Sequence, residues 1–171
     1  INNAGLAVGL ESIHEGDPDD WERMIDTNIK GLLYVTRAVT PGMVARRAGH
    51  IVNLGSIAGR EVYPGGAVYC ATKHAVRALS QGMRQDLLPY GIRVSLICPG
   101  AVETEFSIVR FKGDNQRAAG VYDGYTPLTA DDIARTIRFA LTAPAHVDLQ
   151  DILVMPTAQA DARTIHRTPK G

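Results

Sequence analysis

Apolar residues fall along this chain in two rhythms. Trp21, Met24, Ile25, Ile29, Leu32, Leu33 and Val39 recur at helical spacing, which predicts a helix over about 18–47. Asp17 precedes Pro18, Asp19 and Asp20, a capping residue, a proline suited to the first helical position and acids that favour the positive helix end. Gly31, Pro41 and Gly42 are its weak points, and Gly49 is expected to end it. A second helical pattern covers about 67–88 and is stopped by Pro89 and Gly91. A third opens at Thr129, with Asp132 as a capping-box partner and Ile133, Ile137, Ala140 and Leu141 on its buried face. Between these helices lie short apolar runs that read as strands: His50-Ile51-Val52-Asn53-Leu54, Arg93-Val94-Ser95-Leu96-Ile97-Cys98 and Asp151-Ile152-Leu153-Val154-Met155. Ile1 reads as the last residue of a further strand that turns into a loop. Residues 103–126 are polar, with room for a short helix, and read as a mobile loop; the tail over 159–171 reads as loose.

Strands that alternate with long helices imply βαβ crossovers and a parallel sheet covered on both faces. The expected class is therefore α/β, in a single domain. Composition narrows the functions. Lys plus Arg total 18 and Asp plus Glu total 18, and this balance argues against nucleic acid as the main partner. No apolar run approaches the roughly 18–20 residues that cross a bilayer, and the N-terminus has no signal-peptide pattern. Cys70 and Cys98 do not make a disulfide framework, so the expected location is cytoplasmic. His14, His50, His74, His146 and His166 show no metal-ligand spacing, and no metal is expected.

The candidate chemistry gathers at predicted strand ends. Tyr69 and Lys73 stand four apart on one helix and share a face. A phenol titrates near 10, too high for a general base at neutral pH, and a neighbouring ammonium lowers it. The pair can serve as a proton shuttle; an ordinary helix pair has the same spacing. Ser56 lies just past one strand, Pro99-Gly100 past the next and Asn2-Asn3-Ala4-Gly5 past the first, so three loops point at one crevice, where ligands of parallel sheets gather. Asn28 sits on the intervening helix.

Asn2-Asn3-Ala4-Gly5, Asn28, Ser56, Tyr69-Cys70-Ala71-Thr72-Lys73 and Pro99-Gly100 with Thr104 occur in order at the spacing of the classical short-chain dehydrogenases, and the chain resembles that family over nearly its whole length. The resemblance implies a Rossmann-type doubly wound sheet and hydride transfer with a nicotinamide cofactor. It implies Tyr69 as acid/base, Ser56 as the donor that orients the substrate oxygen, and Lys73 as the group that holds the nicotinamide ribose and depresses the Tyr69 pKa. Asn28 would hold a relay water leading to Lys73. Asn3, Ala4 and Gly5 would line the adenosine side of the cofactor, and Pro99, Gly100, Val102 and Thr104 its nicotinamide. Thr104-Glu105-Phe106-Ser107, Val109-Arg110-Phe111-Lys112-Gly113-Asp114, Pro127-Leu128-Thr129 and Pro144-Ala145-His146-Val147 are similar to one branch, the NADP-dependent 3-hydroxy acid dehydrogenases. That branch implies NADP, acidic substrates such as serine or malonic semialdehyde, sulfoacetaldehyde as a neighbouring alternative, and a homotetramer whose two long helices pack against symmetry mates. Arg110 could clamp a substrate carboxylate in bidentate fashion; it could equally pair with an internal acid or face water.

The sequence departs from the family in one respect. The Gly-x-x-x-Gly-x-Gly turn that approaches the pyrophosphate does not occur in it, nor does the residue that discriminates NADP from NAD. The expectation is that these 171 residues are the C-terminal portion of a longer enzyme and by themselves bind the dinucleotide poorly, serving at most as an inactive oligomerisation module.

Overall fold

The computed structural model describes residues 1–168. Its sheet has three parallel strands in the order β1 (Gly49–Leu54), β2 (Ile92–Pro99) and β3 (Asp151–Val154). Val52 pairs with Ser95 and Ile97 with Ile152, so the strand carboxyl ends lie on one edge. Asn2 adds a parallel bridge beside β1: its N–H donates to Val52 O at 2.8 Å and its carbonyl accepts from Leu54 N at 3.1 Å. The predicted strand end at Ile1 is thereby placed next to β1.

Alternation along β2 explains why both faces are covered. Ile92, Val94, Leu96 and Cys98 pack with Leu32, Val76, Met83 and Leu87 on one side. Ile97, between them in sequence, packs with Val52 and Ile133 on the other. Residue 32 belongs to α2 (Leu32–Arg46), residues 76, 83 and 87 to α3 (Ala67–Leu87). Ile133 belongs to α6 (Ala130–Thr142), whose Thr129–Asp132 capping box forms as its sequence predicts.

The first predicted helix is one continuous run with an insertion. α1 (Pro18–Ile25) is capped by Asp17 and passes through a π-helical turn at Asp26–Gly31 into α2. It ends at Arg47, which takes a left-handed conformation (φ 51°), rather than at Gly49. Gly49 instead starts β1, where a Cβ would stand 2.7 Å from Met43 Sδ; it is a packing glycine.

The 103–126 stretch holds two short helices, α4 (Phe106–Arg110) and α5 (Asn115–Gly120). Tyr122 ties it back, its hydroxyl donating to Val102 O at 2.9 Å and sharing a 2.7 Å hydrogen bond with Ser107 Oγ. The tail differs from its expectation. Gln159 is buried and its Oε1 accepts from Ala101 N at 2.8 Å. His166 N donates to Ala158 O and Thr168 N to Gly124 O, both at 2.8 Å. The tail is therefore ordered through 168 by backbone pairing; the rest of that expectation, 169–171, lies outside the described residues. Among the described residues no helix is long and apolar enough to cross a membrane.

Candidate active site

Close approach of backbone builds the site. Gly59, in the 3-10 turn Ile57–Gly59, lies so near α3 that a Cβ there would stand 2.7 Å from Lys73 O. Gly55 is pinned at the strand end by its N–H to Ile97 O at 2.7 Å. Between them Ser56 is extended (φ −173°), and its Oγ accepts from Ala58 N at 3.1 Å. That bond uses an acceptor lone pair and leaves the O–H free to donate. On α3, one turn apart, Tyr69 and Lys73 are buried, with Nζ 6.0 Å from the phenol centroid.

A cavity of about 660 Å³ opens at this edge. Asn3, Gly5, Ser56, Tyr69, Lys73, Pro99, Gly100, Val102 and Thr104 all line it, as the sequence groups them. Ala4 and Asn28 line an adjoining groove on the far side of Lys73 instead. The apolar walls, Phe106 and Val109 of α4 with Ile133 and Ile137 of α6, were not singled out as site residues in the sequence. Their periodicity marks a buried helix face equally well, so no signal short of the fold separates lining from core.

Burial sets the protonation states. It pushes the Tyr69 phenol up, the neighbouring Tyr63 adding to the rise, while the Ser56 hydrogen bond and the Arg110 charge pull the other way. Burial pulls the Lys73 ammonium down to about 8. The expected depression of Tyr69 by Lys73 is thus not what governs this arrangement. Desolvation outweighs every charge near the phenol, and the cation that acts on it is Arg110.

Lys73 Nζ donates to Leu54 O at 2.9 Å, and among the described residues this takes one of its three N–H groups. A Cβ at Gly5 would lie 3.3 Å from both Lys73 Nζ and Asn28 Oδ1, so glycine keeps this ammonium approachable. A buried cation with open donors, beside a phenol in a roomy crevice, fits the hydroxyls of a nicotinamide ribose. Asn28 is otherwise engaged. Its Nδ2 donates to Leu6 O (2.8 Å) and Thr72 Oγ1 (3.0 Å), and its Oδ1 accepts from Leu6 N (2.9 Å). Both amide hydrogens stitch the 1–10 loop to α3, so they are not available to a relay water.

Arg110, at the end of α4, lies 5.7 Å from the Tyr69 ring centroid and 5.2 Å from that of Tyr63. Its Nε and Nη2 are buried and have no hydrogen-bond partner among the described residues. Among the described residues no acid pairs with Arg110, which stands beside Tyr69 but is not one of the residues that line the cavity. Tyr63, whose ring backs the guanidinium, carries no sequence signal of its own.

Comparison with known proteins agrees with this geometry. The family model described as short chain dehydrogenase matches residues 1–115. The chain is 51% identical over 170 residues to the NADP-dependent 3-hydroxy acid dehydrogenase YdfG of Salmonella typhi, covering 98% of this chain and 68% of that protein. It is 47% identical over 167 residues to the NADP-dependent 3-hydroxy acid dehydrogenase of Schizosaccharomyces pombe, covering 98% of this chain and 64% of that one. Among solved structures, the closed form of a serine dehydrogenase complexed with NADP+ matches with a TM-score of 0.93 at 50% identity, over 98% of this chain and 68% of the other. Serine dehydrogenase from Escherichia coli matches with a TM-score of 0.78 at 45% identity, over 93% and 63%. The chain spans about two thirds of the length of these relatives. With Ser56, Tyr69 and Lys73 gathered at the carboxyl edge of a parallel sheet, and a family model matching 1–115, the chain belongs to the short-chain dehydrogenases and is an oxidoreductase.

Proposed function

We propose that the protein is an NADP-dependent dehydrogenase that interconverts the hydroxyl and carbonyl forms of small 3-hydroxy acids, with serine and the 3-hydroxypropionate/malonic semialdehyde pair as its substrates. The observation that carries this reading is the Arg110 guanidinium beside Tyr69, whose buried Nε and Nη2 have no hydrogen-bond partner among the described residues. A buried charge without a partner is costly, and a substrate carboxylate supplies that partner with two parallel hydrogen bonds. The names of the relatives support both the cofactor and the substrate class.

NADP, when bound, accepts or supplies the hydride. Ser56 O–H donates to the substrate oxygen and fixes its position. Tyr69 gives that oxygen a proton as a carbonyl is reduced and takes it back as a hydroxyl is oxidised. Lys73 would hold the ribose hydroxyls, Asn3 and Gly5 would line the adenosine side, and Pro99, Gly100, Val102 and Thr104 the nicotinamide; Ala4 borders the adjoining groove. Because burial keeps Tyr69 protonated, the site is set for reduction at neutral pH. Oxidation of the hydroxy acid therefore rises with pH, as the phenolate becomes populated.

A homotetramer is part of this reading. α2 leaves Leu33, Tyr34, Val35 and Val39 exposed, and Phe139 of α6 and Leu153 of β3 are exposed as well. The contacts between copies are expected on the two long helices, α2 and α3, with this exposed apolar stripe of α2 among them. A cytoplasmic location agrees with the two buried free thiols, Cys70 and Cys98.

The test is a pair of variants in the protein that carries this chain. Tyr69→Phe should lose about 10²–10⁴-fold in kcat while still binding NADPH, by the usual contribution of a positioned acid. Arg110→Ala should raise KM for 3-hydroxypropionate about 10–100-fold, the loss of charge-assisted hydrogen bonds. An unchanged KM in the arginine variant rules out the carboxylate clamp, and retained turnover in the phenylalanine variant rules out the acid/base role.

A further inference from the structure

Arg110 lies in a segment that few core contacts hold, yet its guanidinium sits at a fixed place over two rings. What holds it is found outside the cavity. Asp20, in the first turn of α1, is 6% exposed, an unusual position for a carboxylate. Its Oδ2 lies 2.6 Å from Lys112 Nζ and has no hydrogen bond beyond this ion pair, while its Oδ1 faces Arg23 Nη1 at 3.6 Å.

Lys112 reaches that carboxylate from a left-handed backbone conformation (φ 53°), which a non-glycine side chain adopts at a cost. Gly113 follows at φ 92°. The chain therefore turns sharply just after α4, and the turn delivers an ammonium to a buried acid. Two residues earlier, Arg110 O accepts from Gly9 N at 2.9 Å, in the same loop that leads to α1. The two contacts, one at the Arg110 carbonyl and one two residues on, fasten the end of α4 to the 6–20 stretch.

We propose that Asp20 is a positioning residue for substrate selection: through its ion pair with Lys112 it holds the turn after α4, and with it the Arg110 guanidinium, against Tyr69. The proposal rests on the reading of Arg110 as the group that binds the substrate carboxylate. Asp20, Lys112 and Arg110 all lie outside the cavity lining, and of the three only Arg110 stands against a lining ring, that of Tyr69 at 5.7 Å. Their effect passes through Arg110 and falls on acidic substrates.

The experiment compares Lys112→Gly, Lys112→Arg, Asp20→Asn and Arg110→Ala with the parent, in the whole protein that contains this chain. kcat and KM are measured for 3-hydroxypropionate, together with the Kd for NADPH and the Tm. Lys112→Gly removes the charge and leaves the buried Asp20 carboxylate with Arg23 alone, a cost that relief of the left-handed backbone offsets only in part, so Tm should fall by a few degrees. KM for the acid should rise about tenfold, with kcat and NADPH binding within twofold of the parent. Lys112→Arg should restore the parent KM, and Asp20→Asn should match Lys112→Gly in KM. A Lys112→Gly variant with the parent KM overturns the proposal, as does a loss shared equally by KM, kcat and NADPH binding, which marks a structural role alone. If Arg110→Ala raises KM and Lys112→Gly does not, the ion pair fails and the carboxylate reading survives. If Arg110→Ala leaves KM unchanged, both fall.

Discussion

Replacing Lys73 by methionine should make the protein more stable at neutral pH and less stable at high pH, while it abolishes turnover. The side chain is 6% exposed, and burial brings its pKa from 10.5 to about 8. That is a change of about 2.5 pH units, or about 3 kcal/mol at 1.36 kcal/mol per unit. The sign follows from proton uptake. Between pH 8 and 10.5 the unfolded lysine holds a proton that the folded one has lost, so stability rises with pH across this window. The stabilisation is complete above the unfolded value and is lost as pH falls through the folded one. At pH 7 the native protein therefore carries the full cost of a desolvated ammonium. Methionine removes that cost but also removes the hydrogen bond to Leu54 O, worth about 1 kcal/mol. The net expectation is a gain of about 2 kcal/mol at pH 7 and a loss of about 1 kcal/mol near pH 10.5. Urea unfolding at several pH values in that range measures both. A variant less stable than the parent at pH 7, or a difference that does not change with pH, would refute the claim that the ammonium is held at an energetic cost.

Two further substitutions probe how the site is held. Asn28→Ala should cost about 1–3 kcal/mol, because it strands Leu6 N and Leu6 O in a half-buried position, while Thr72 Oγ1 keeps its bond to Tyr69 O; a thermal melt that moves by less than a degree would contradict this. Thr129→Ala should cost about 1 kcal/mol by opening the capping box of α6, with little effect on kcat. An equal loss of activity there would mean that α6 does more than line the cavity wall.

The elements were legible because their signals are local. Thr129 and Asp132 announce the start of α6, Asp17 and Pro18 that of α1, and the apolar runs at 50–54 and 93–98 mark strands within one residue. The sheet edge followed from these, and with it the meeting of Ser56, Tyr69 and Lys73. Gly49 misled because a glycine after a helix has two uses, and the deciding contact, Met43 Sδ, depends on how the turn folds back. The ordered tail was hidden for a related reason. Its polar residues pair with backbone far away, Gln159 with Ala101 and Thr168 with Gly124, and no spacing rule reports such partners.

The charge balance of the site was the least legible feature, and the reason is physical. Sequence spacing shows which charges are neighbours along a helix, and it put Lys73 beside Tyr69. It does not show which of them has been stripped of water. Once Tyr69 is enclosed, desolvation dominates its titration, and the cation that matters is Arg110, forty-one positions away in the chain and 5.7 Å away in space. The same enclosure leaves Lys73 with open donors and Arg110 with two buried nitrogens unpaired. Each is destabilising by itself, and each would be relieved by a ligand of the matching kind, hydroxyls for Lys73 and a carboxylate for Arg110. The groups that weaken the fold are thus the ones that recognise the ligands, so replacements at Lys73 and Arg110 that stabilise the fold should remove function.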